Sequence, residues 1–433
     1  MKRIRLVLPL LGCVLLGGLL LTPHTPTGVM REEGPRQPEP SAGAPYDPSV
    51  TIEAAKRRLS RDPRDAAVWA NLGHMYLQQA RRTTETAYHA KAEAALERSL
   101  RLGAGGRPPV EAVIGMGELA NARHDHTGAL RWAVRARAAA PHRWALYGVL
   151  TDAYLELGQY DRAERALRRM LDGRPDLASY SRAARIEHLR GRIGPARELL
   201  RRACRLAADP AEYASCQCQL GDLSWDEGDP SAARAAYTQA LAADPGHVPA
   251  RAGKARTEAA LGDPDQARRD YAAAVAHSPA YAVEYGELLD HLGDHAGAQQ
   301  QYAAFVAHQK VLAANGATDH YAIGVFQADH GDPRTAVRHL RLEWARRQAV
   351  EVADALAWAL HRAGRHAEAA RYAARAAALG GRNALFSYHR GEIEYARGHL
   401  AWARTHLTRA LDINPYFSPA GAVRARALLA ETA

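Results

Sequence analysis

Apolar positions recur every three or four residues along most of the chain. That is the spacing of an amphipathic helix, not the alternation of a strand. The stretch 144–175, WALYGVLTDAYLELGQYDRAERALRRMLDGRP, shows the pattern: one helical run to Leu157, a break at Gly158-Gln159, then a second run. The glycine falls just past the first run, where a left-handed helix cap is needed. In three places the break reads Gly-Asp-Pro, at 228–230, 262–264 and 331–333. Cap, turn and a proline tolerated at the start of the next helix follow one another. Paired helices of about 12–15 residues are expected throughout.

From about residue 66 this unit recurs with a period of about 34 residues. Ten units align, starting near residues 66, 110, 144, 177, 214, 248, 279, 317, 350 and 384. One small residue of the second helix holds register in all ten: Ala92, Ala129, Ala163, Ala196, Ala233, Ala267, Ala298, Ala336, Ala369 and Ala403. A single unit cannot bury its apolar face, so the units must stack. Residues 144–175 resemble the tetratricopeptide repeat, with Tyr147, Leu150, Tyr154, Gly158, Tyr160, Ala163, Leu167 and Pro175 at its signature positions. Residues 214–245 match equally well through Leu220, Gly221, Gly228, Ala233, Tyr237, Ala240 and Pro245. The first unit opens with Trp69, Leu72, Gly73 and Tyr76 but carries an insertion of about seven residues before Ala92. The resemblance implies an all-α fold: a right-handed α-solenoid of about ten helix–turn–helix repeats. Residues 47–61 read as a lone helix covering the first unit and 418–430 as a C-terminal cap, so 47–433 form one solenoid.

The first 22 residues differ from the rest. Lys2, Arg3 and Arg5 precede LVLPLLGCVLLGGLLL, which has no charge from 6 to 21. A Pro- and Gly-rich linker follows over 23–46. This is the order of an export signal. Leu10-Leu11-Gly12-Cys13 resembles a bacterial lipobox, which would place a lipid on Cys13, but the apolar run continues past the cysteine. An uncleaved anchor of ~24 Å is the alternative, with removal of the segment a third outcome. In each case the chain is expected to be exported, either membrane-associated on the extracytoplasmic side through this segment or secreted.

The formal net charge is +10, yet only five of the 57 basic residues are lysine, and no basic block or nucleic-acid motif occurs. In the family the first helix of each unit lines the concave face. Its inward positions here hold twelve acids: Glu111, Glu118, Asp152, Glu156, Asp222, Asp226, Glu287, Asp290, Asp329, Glu351, Asp354 and Glu392. Three arginines, Arg185, Arg256 and Arg362, share those positions, while Arg162, Arg165, Arg168, Arg169, Arg201 and Arg202 lie on second helices. A negative lining does not suit phosphates. The expected partner is a protein or peptide with basic residues, not a nucleic acid. Trp225, Tyr321, Trp358, Tyr388 and Tyr395 interleave with the acids as candidate contacts of the groove. The family's carboxylate clamp needs basic residues where Asp152, Glu156, Asp222 and Asp226 stand, so that use is not expected.

No hydrolase, zincin, phosphate-loop or dinucleotide motif is present, and neither an enzyme nor a cofactor is expected. Metal ligation by some of the twenty histidines, if His188, His291 and His361 converged with groove carboxylates, is the alternative reading. A role as accessory module of an envelope or secretion complex is another. Cys204 ends one unit and Cys216 begins the next, on neighbouring helices, so a disulfide between them is sterically reasonable.

Overall fold

The computed structural model describes residues 48–85, 87–103, 108–173, 175–314 and 318–431. The segment expected to be an export signal (1–22), the linker (23–46) and Cys13 lie outside the described residues. Among those described, no helix is long and apolar enough to cross a membrane. Residues Pro45–Ala433 make one compact unit.

Among its described residues the regular elements are all helices. It opens with α1 (Pro48–Arg61) and continues as ten pairs. The first five are α2 (Ala66–Thr83) with α3 (Ala87–Arg101), α4 (Val110–Ala122) with α5 (His126–Ala139), α6 (Trp144–Glu156) with α7 (Tyr160–Gly173), α8 (Leu177–Leu189) with α9 (Ile193–Arg205), and α10 (Pro210–Asp226) with α11 (Pro230–Ala243). The next five are α12 (Val248–Ala260) with α13 (Pro264–His277), α14 (Ala282–His291) with α15 (His295–Ala314), α16 (His320–His330) with α17 (Pro333–Arg346), α18 (Val350–Arg362) with α19 (His366–Ala376), and α20 (Ala384–Ala396) with α21 (Leu400–Ile413). The last helix, α22 (Pro419–Glu431), covers the tenth pair. The architecture is an all-α repeat solenoid.

The register alanines explain the pairing. All ten are 0% exposed, on the second helix of each pair. Small residues opposite them admit one large side chain per repeat. Tyr237 is fully buried between Gly221 of its own repeat and Gly253 of the next, and a methyl group on either glycine would overlap its ring. Asp229, Asp263 and Asp332 cap the second helices, their carboxylates accepting from the amides of Ala232, Gln266 and Thr335.

Some local expectations are corrected. The insertion in the first repeat lengthens α2 to 18 residues, and Thr84 takes the left-handed position at φ 58°. In the second repeat His124 does so at φ 59°. Gly331 does not: at φ −145° its turn is built on Gln327, whose side chain accepts from the Asp332 amide. The seventh repeat has unequal helices, of 10 and 20 residues.

First helices of successive repeats pack on one another, as α2 on α4, α4 on α6, α10 on α12 and α18 on α20. Second helices spread apart, which curves the array toward the first helices. The curvature is tight enough that successive rounds touch. The turn inside a repeat rests on the connection between repeats about 190 residues later. Tyr160 accepts a hydrogen bond from the Val350 amide at 2.9 Å, and Arg347 reaches Glu156 at 2.9 Å. Asn414 donates to the Trp225 carbonyl at 2.7 Å, and Gly381 lies against the Leu189 carbonyl. At the N-terminal end, Arg82 pairs with Asp244 at 2.9 Å.

Candidate functional site

The inner face divides into three stretches that differ in how their carboxylates are matched. In the N-terminal stretch the matching is complete. His74 meets Glu118 at 3.0 Å. Burial works to raise the Glu118 carboxyl, but the His74 hydrogen bond and charge hold it at about 2. Arg182 grips Asp152 through Nε and Nη2 at 2.8 and 2.6 Å. Glu156 is shared by Arg185 and Arg347, and Glu111 is met by Arg143.

In the C-terminal stretch the candidate aromatics are not groove contacts. Trp358 and Tyr388 are each 7% exposed. Trp358 stacks on His389 at 4.3 Å and on His361 at 5.1 Å, and its indole donates to Asp329. Asp354 is buried against His389 at 2.8 Å. Tyr388 packs on Phe417 and donates to Glu392, which is buried and also met by Arg424 of the cap. Tyr395 is half-buried and donates to Glu431. Tyr321 is half-buried beneath the Arg347 guanidinium. The expectation of an aromatic groove in the last repeats is therefore corrected. These rings build core, because α18 and α20 face each other across a His–Trp–His stack.

The middle stretch, on α10, α12 and α14, is different. Asp222 and Asp226 keep 54% and 43% of their side-chain surface exposed. Glu284 and Glu287 continue the row from α14, and Asp329 adds to the negative field at Glu287. The fixed cation at its centre is Arg256, which lies 4.7 Å over the buried Trp225 ring and 3.8 Å from Asp222. His188 approaches Asp226 at 3.4 Å, and His330 meets Glu287 at 3.0 Å. Burial pushes the Asp226 carboxyl up to about 6 despite Arg256. Burial likewise raises Asp222 and Glu287, with neighbouring carboxylates adding to the effect. The acids are held in place from behind. Phenols of the second helices reach through to them: Tyr237 to Asp222 at 2.7 Å, Tyr271 to Glu284 at 3.2 Å and Tyr302 to Asp290 at 2.9 Å. Asp290 is held low, first by its hydrogen bond from His295.

Sequence reasoning named the acids and Arg185, Arg256 and His188 but did not pair them. Arg182, His330 and His389 sit on first helices at positions outside those counted, and Arg347 comes from a connection on the next round. Glu284 was missed because it stands at the sixth position of its unit, as Arg182 and His389 do in theirs, outside the positions counted. Arg162, Arg165 and Arg169 lie on α7 and line an outer cleft of about 700 Å³ with Arg137 and His142. The structure joins Cys204 and Cys216 in a disulfide with Cα atoms 5.5 Å apart, leaving Cys218 buried as a thiol. Among the described residues no group of three or more His, Cys, Asp or Glu is placed to hold a metal ion. His361 lies against His366 and Trp358, apart from His188 beside Asp226.

Two family models described as tetratricopeptide repeat match the chain, one over residues 120–186 and 224–282, the other over 355–416. No curated protein matches it. Among solved structures, a tetratricopeptide repeat protein from Parabacteroides merdae is 17% identical, covering 59% of this chain and 98% of its own, with TM-score 0.35. Yeast Tom70 is 12% identical over 89% of this chain and 92% of its own, with TM-score 0.38. PilW, a type IV pilus biogenesis factor, is 19% identical over 46% and 92%, with TM-score 0.39. Proteins of this kind are generally non-catalytic. With its register alanines, capped turns and stacked helix pairs, the chain is a tetratricopeptide-repeat protein, a scaffold for protein–protein interaction.

Proposed function

We propose that this scaffold works outside the cytoplasm, directed to the membrane by its N-terminal segment, and holds a partner segment bearing arginine or lysine against α10, α12 and α14. The observation that carries the reading is the imbalance of the middle stretch. In the N-terminal stretch Asp152, Glu156 and Glu111 are each met by an arginine. In the middle stretch Asp222, Asp226, Glu284 and Glu287 crowd around Arg256, and three of them are raised by burial. A cationic side chain entering this row relieves repulsion that the fold leaves in place. Trp225 beneath Arg256 shows the geometry such a group would meet: a ring face beside a carboxylate. The site is a seat for guanidinium or ammonium groups, rigid because Tyr237 and Tyr271 fix two of its acids from the core side.

The test is titration of a fluorescent Arg- and Lys-containing peptide into the protein, with the triple variant Asp222→Asn, Asp226→Asn, Glu287→Gln beside it. Saturable binding that the variant loses at least tenfold supports the reading. Equal affinity for both proteins, or for an acidic peptide of the same length, overturns it.

A further inference from the structure

The contact between successive rounds has two unused edges. Turns within the third to fifth repeats lie against later connections: Gly191 against Gly380 and Arg382, and Gly228 against Ile413, Asn414 and Pro415. From the sixth repeat onward the turns carry no such cover. A Cβ added at Gly262, Gly293, Gly364 or Gly398 would meet nothing within 4 Å. On the opposite edge, Trp144 at the start of the third repeat is 38% exposed and Leu206, at the end of the fourth, is 47% exposed. The capping helices α1 and α22 close the ends of the array along its path. The C-terminal cap α22 also touches α14, but the turns at Gly262 and Gly293 stay open.

The two bare edges are complementary at the sixth and seventh repeats; at the ninth and tenth the turn edge carries Arg365, Arg397 and His399 instead. The turn edge presents Leu261 and Leu292, both more than a third exposed, beside Asp263, Asp265 and Asp294. The connection edge presents Trp144 and Leu206 beside the outer cleft between α5 and α7. That cleft is lined by Arg137, His142, Arg162, Arg165 and Arg169, with no carboxylate in its wall. Three of these arginines rise along α7 at one-turn intervals, about 10 Å from first to last. The corresponding cleft of the last repeat, with Arg390 and Arg409, is roofed by Leu189, His188 and Asp226 of the earlier round. The early cleft is the same architectural feature without its roof.

We infer that the roof is a second copy of this chain, whose free turn edge stacks on the free connection edge of the first. The contact within the chain would then continue between chains. It is heterologous, with different surfaces on the two partners, so it propagates head to tail instead of closing a dimer. One turn on one connection is too small to hold two proteins together, but a row of them reaches the size of a specific interface. Its charges make it weaken with salt.

The experiment is sedimentation velocity of the full chain in density-matched detergent, across a concentration series and at two salt concentrations. A turn-edge variant, Asp265→Arg with Leu292→Arg, and a connection-edge variant, Arg165→Glu with Arg169→Glu, are run alone and mixed. All four side chains are exposed, and circular dichroism confirms that each variant folds; Leu206→Glu is a second connection-edge variant. Wild type is expected to grow beyond dimer with concentration, each variant alone to stay monomeric, and the equimolar mixture to stop at dimer. Wild type monomeric at every concentration, a variant that associates as wild type does, or a mixture that stays monomeric overturns the inference.

Discussion

Alanine at Gly228 and alanine at Gly262 should have different effects, although the two turns look alike in sequence. Both glycines are left-handed, with φ of 77° and 85°, so an L side chain costs ~1–2 kcal/mol at either position. At Gly262 nothing else changes, since no atom lies within 4 Å of the new methyl. At Gly228 the methyl would lie 2.8 Å from the Ile413 carbonyl oxygen and 2.9 Å from the Asn414 Cα, backbone atoms that cannot swing aside. Residues 413–415 must then move off the turn. That movement breaks the hydrogen bond from Asn414 to the buried Trp225 carbonyl, worth ~1–3 kcal/mol if the carbonyl is left unmet. The expected losses are ~2–5 kcal/mol at Gly228 and ~1–2 kcal/mol at Gly262. In a chain this long 1 kcal/mol moves Tm by only ~1 °C, so urea midpoints with one optical probe are the better assay. Small-angle scattering supplies the second readout: Gly228→Ala should enlarge the radius of gyration and Gly262→Ala should not. Equal losses with unchanged radii would refute the claim that successive rounds of the array bear on each other.

Other outcomes follow from the same geometry. Arg347→Ala leaves Glu343, which is 5% exposed, to Arg346 and leaves Glu156 to Arg185, and should cost ~1–3 kcal/mol in chemical denaturation; no measurable loss would show that the ion pairs of Arg347 are not made. Intact-mass measurement without reductant should show the Cys204–Cys216 bridge as the loss of two hydrogens, and replacing both cysteines by serine should cost ~2–4 kcal/mol; full labelling of every thiol in the folded protein would contradict it. Affinity for a basic peptide should rise with pH from about 5 to 7. Asp226 is raised to about 6 in the free chain, so a cation can bind it fully only once its proton has left. The same sign makes the free chain lose stability as pH climbs from the ordinary carboxylate value through about 6. Calorimetry in two buffers of different ionisation enthalpy reads the released proton, and a pH-independent affinity would remove Asp226 from the site.

Much of the fold was legible because its determinants are local. The register alanines mark where two helices touch, and Gly158, Gly228 and Gly262 mark where the backbone must turn left-handed. The resemblance to the tetratricopeptide repeat also implies that first helices line the inner face, but the repeat period is silent on how the rounds meet. It does not state the pitch of the coil, and so it could not bring Arg347 to Glu156 or Asn414 to Trp225 across some 190 residues. The same gap explains the miscounted charge. Matching groups such as Arg182 and His389 occupy positions that point sideways along the inner face, toward the preceding first helix, instead of into the groove. Trp358 and Tyr388 were read as exposed because aromatic residues beside acids usually mark a contact surface. Here three histidines close around the tryptophan, His361 and His389 by stacking and His366 against His361, and turn the aromatic patch into core. The proposed function rests on the row of acids on α10 and α14 around Arg256, with His188 and His330 beside it.

The most direct test of that row is crosslinked affinity capture from native membranes with wild type and with Asp222, Asp226 and Glu287 all changed to arginine. The account predicts a protein partner held by wild type and lost by the variant, with basic residues at the crosslinked positions. A partner retained equally by both would contradict it and move the binding face away from the inner surface of the fifth to seventh repeats.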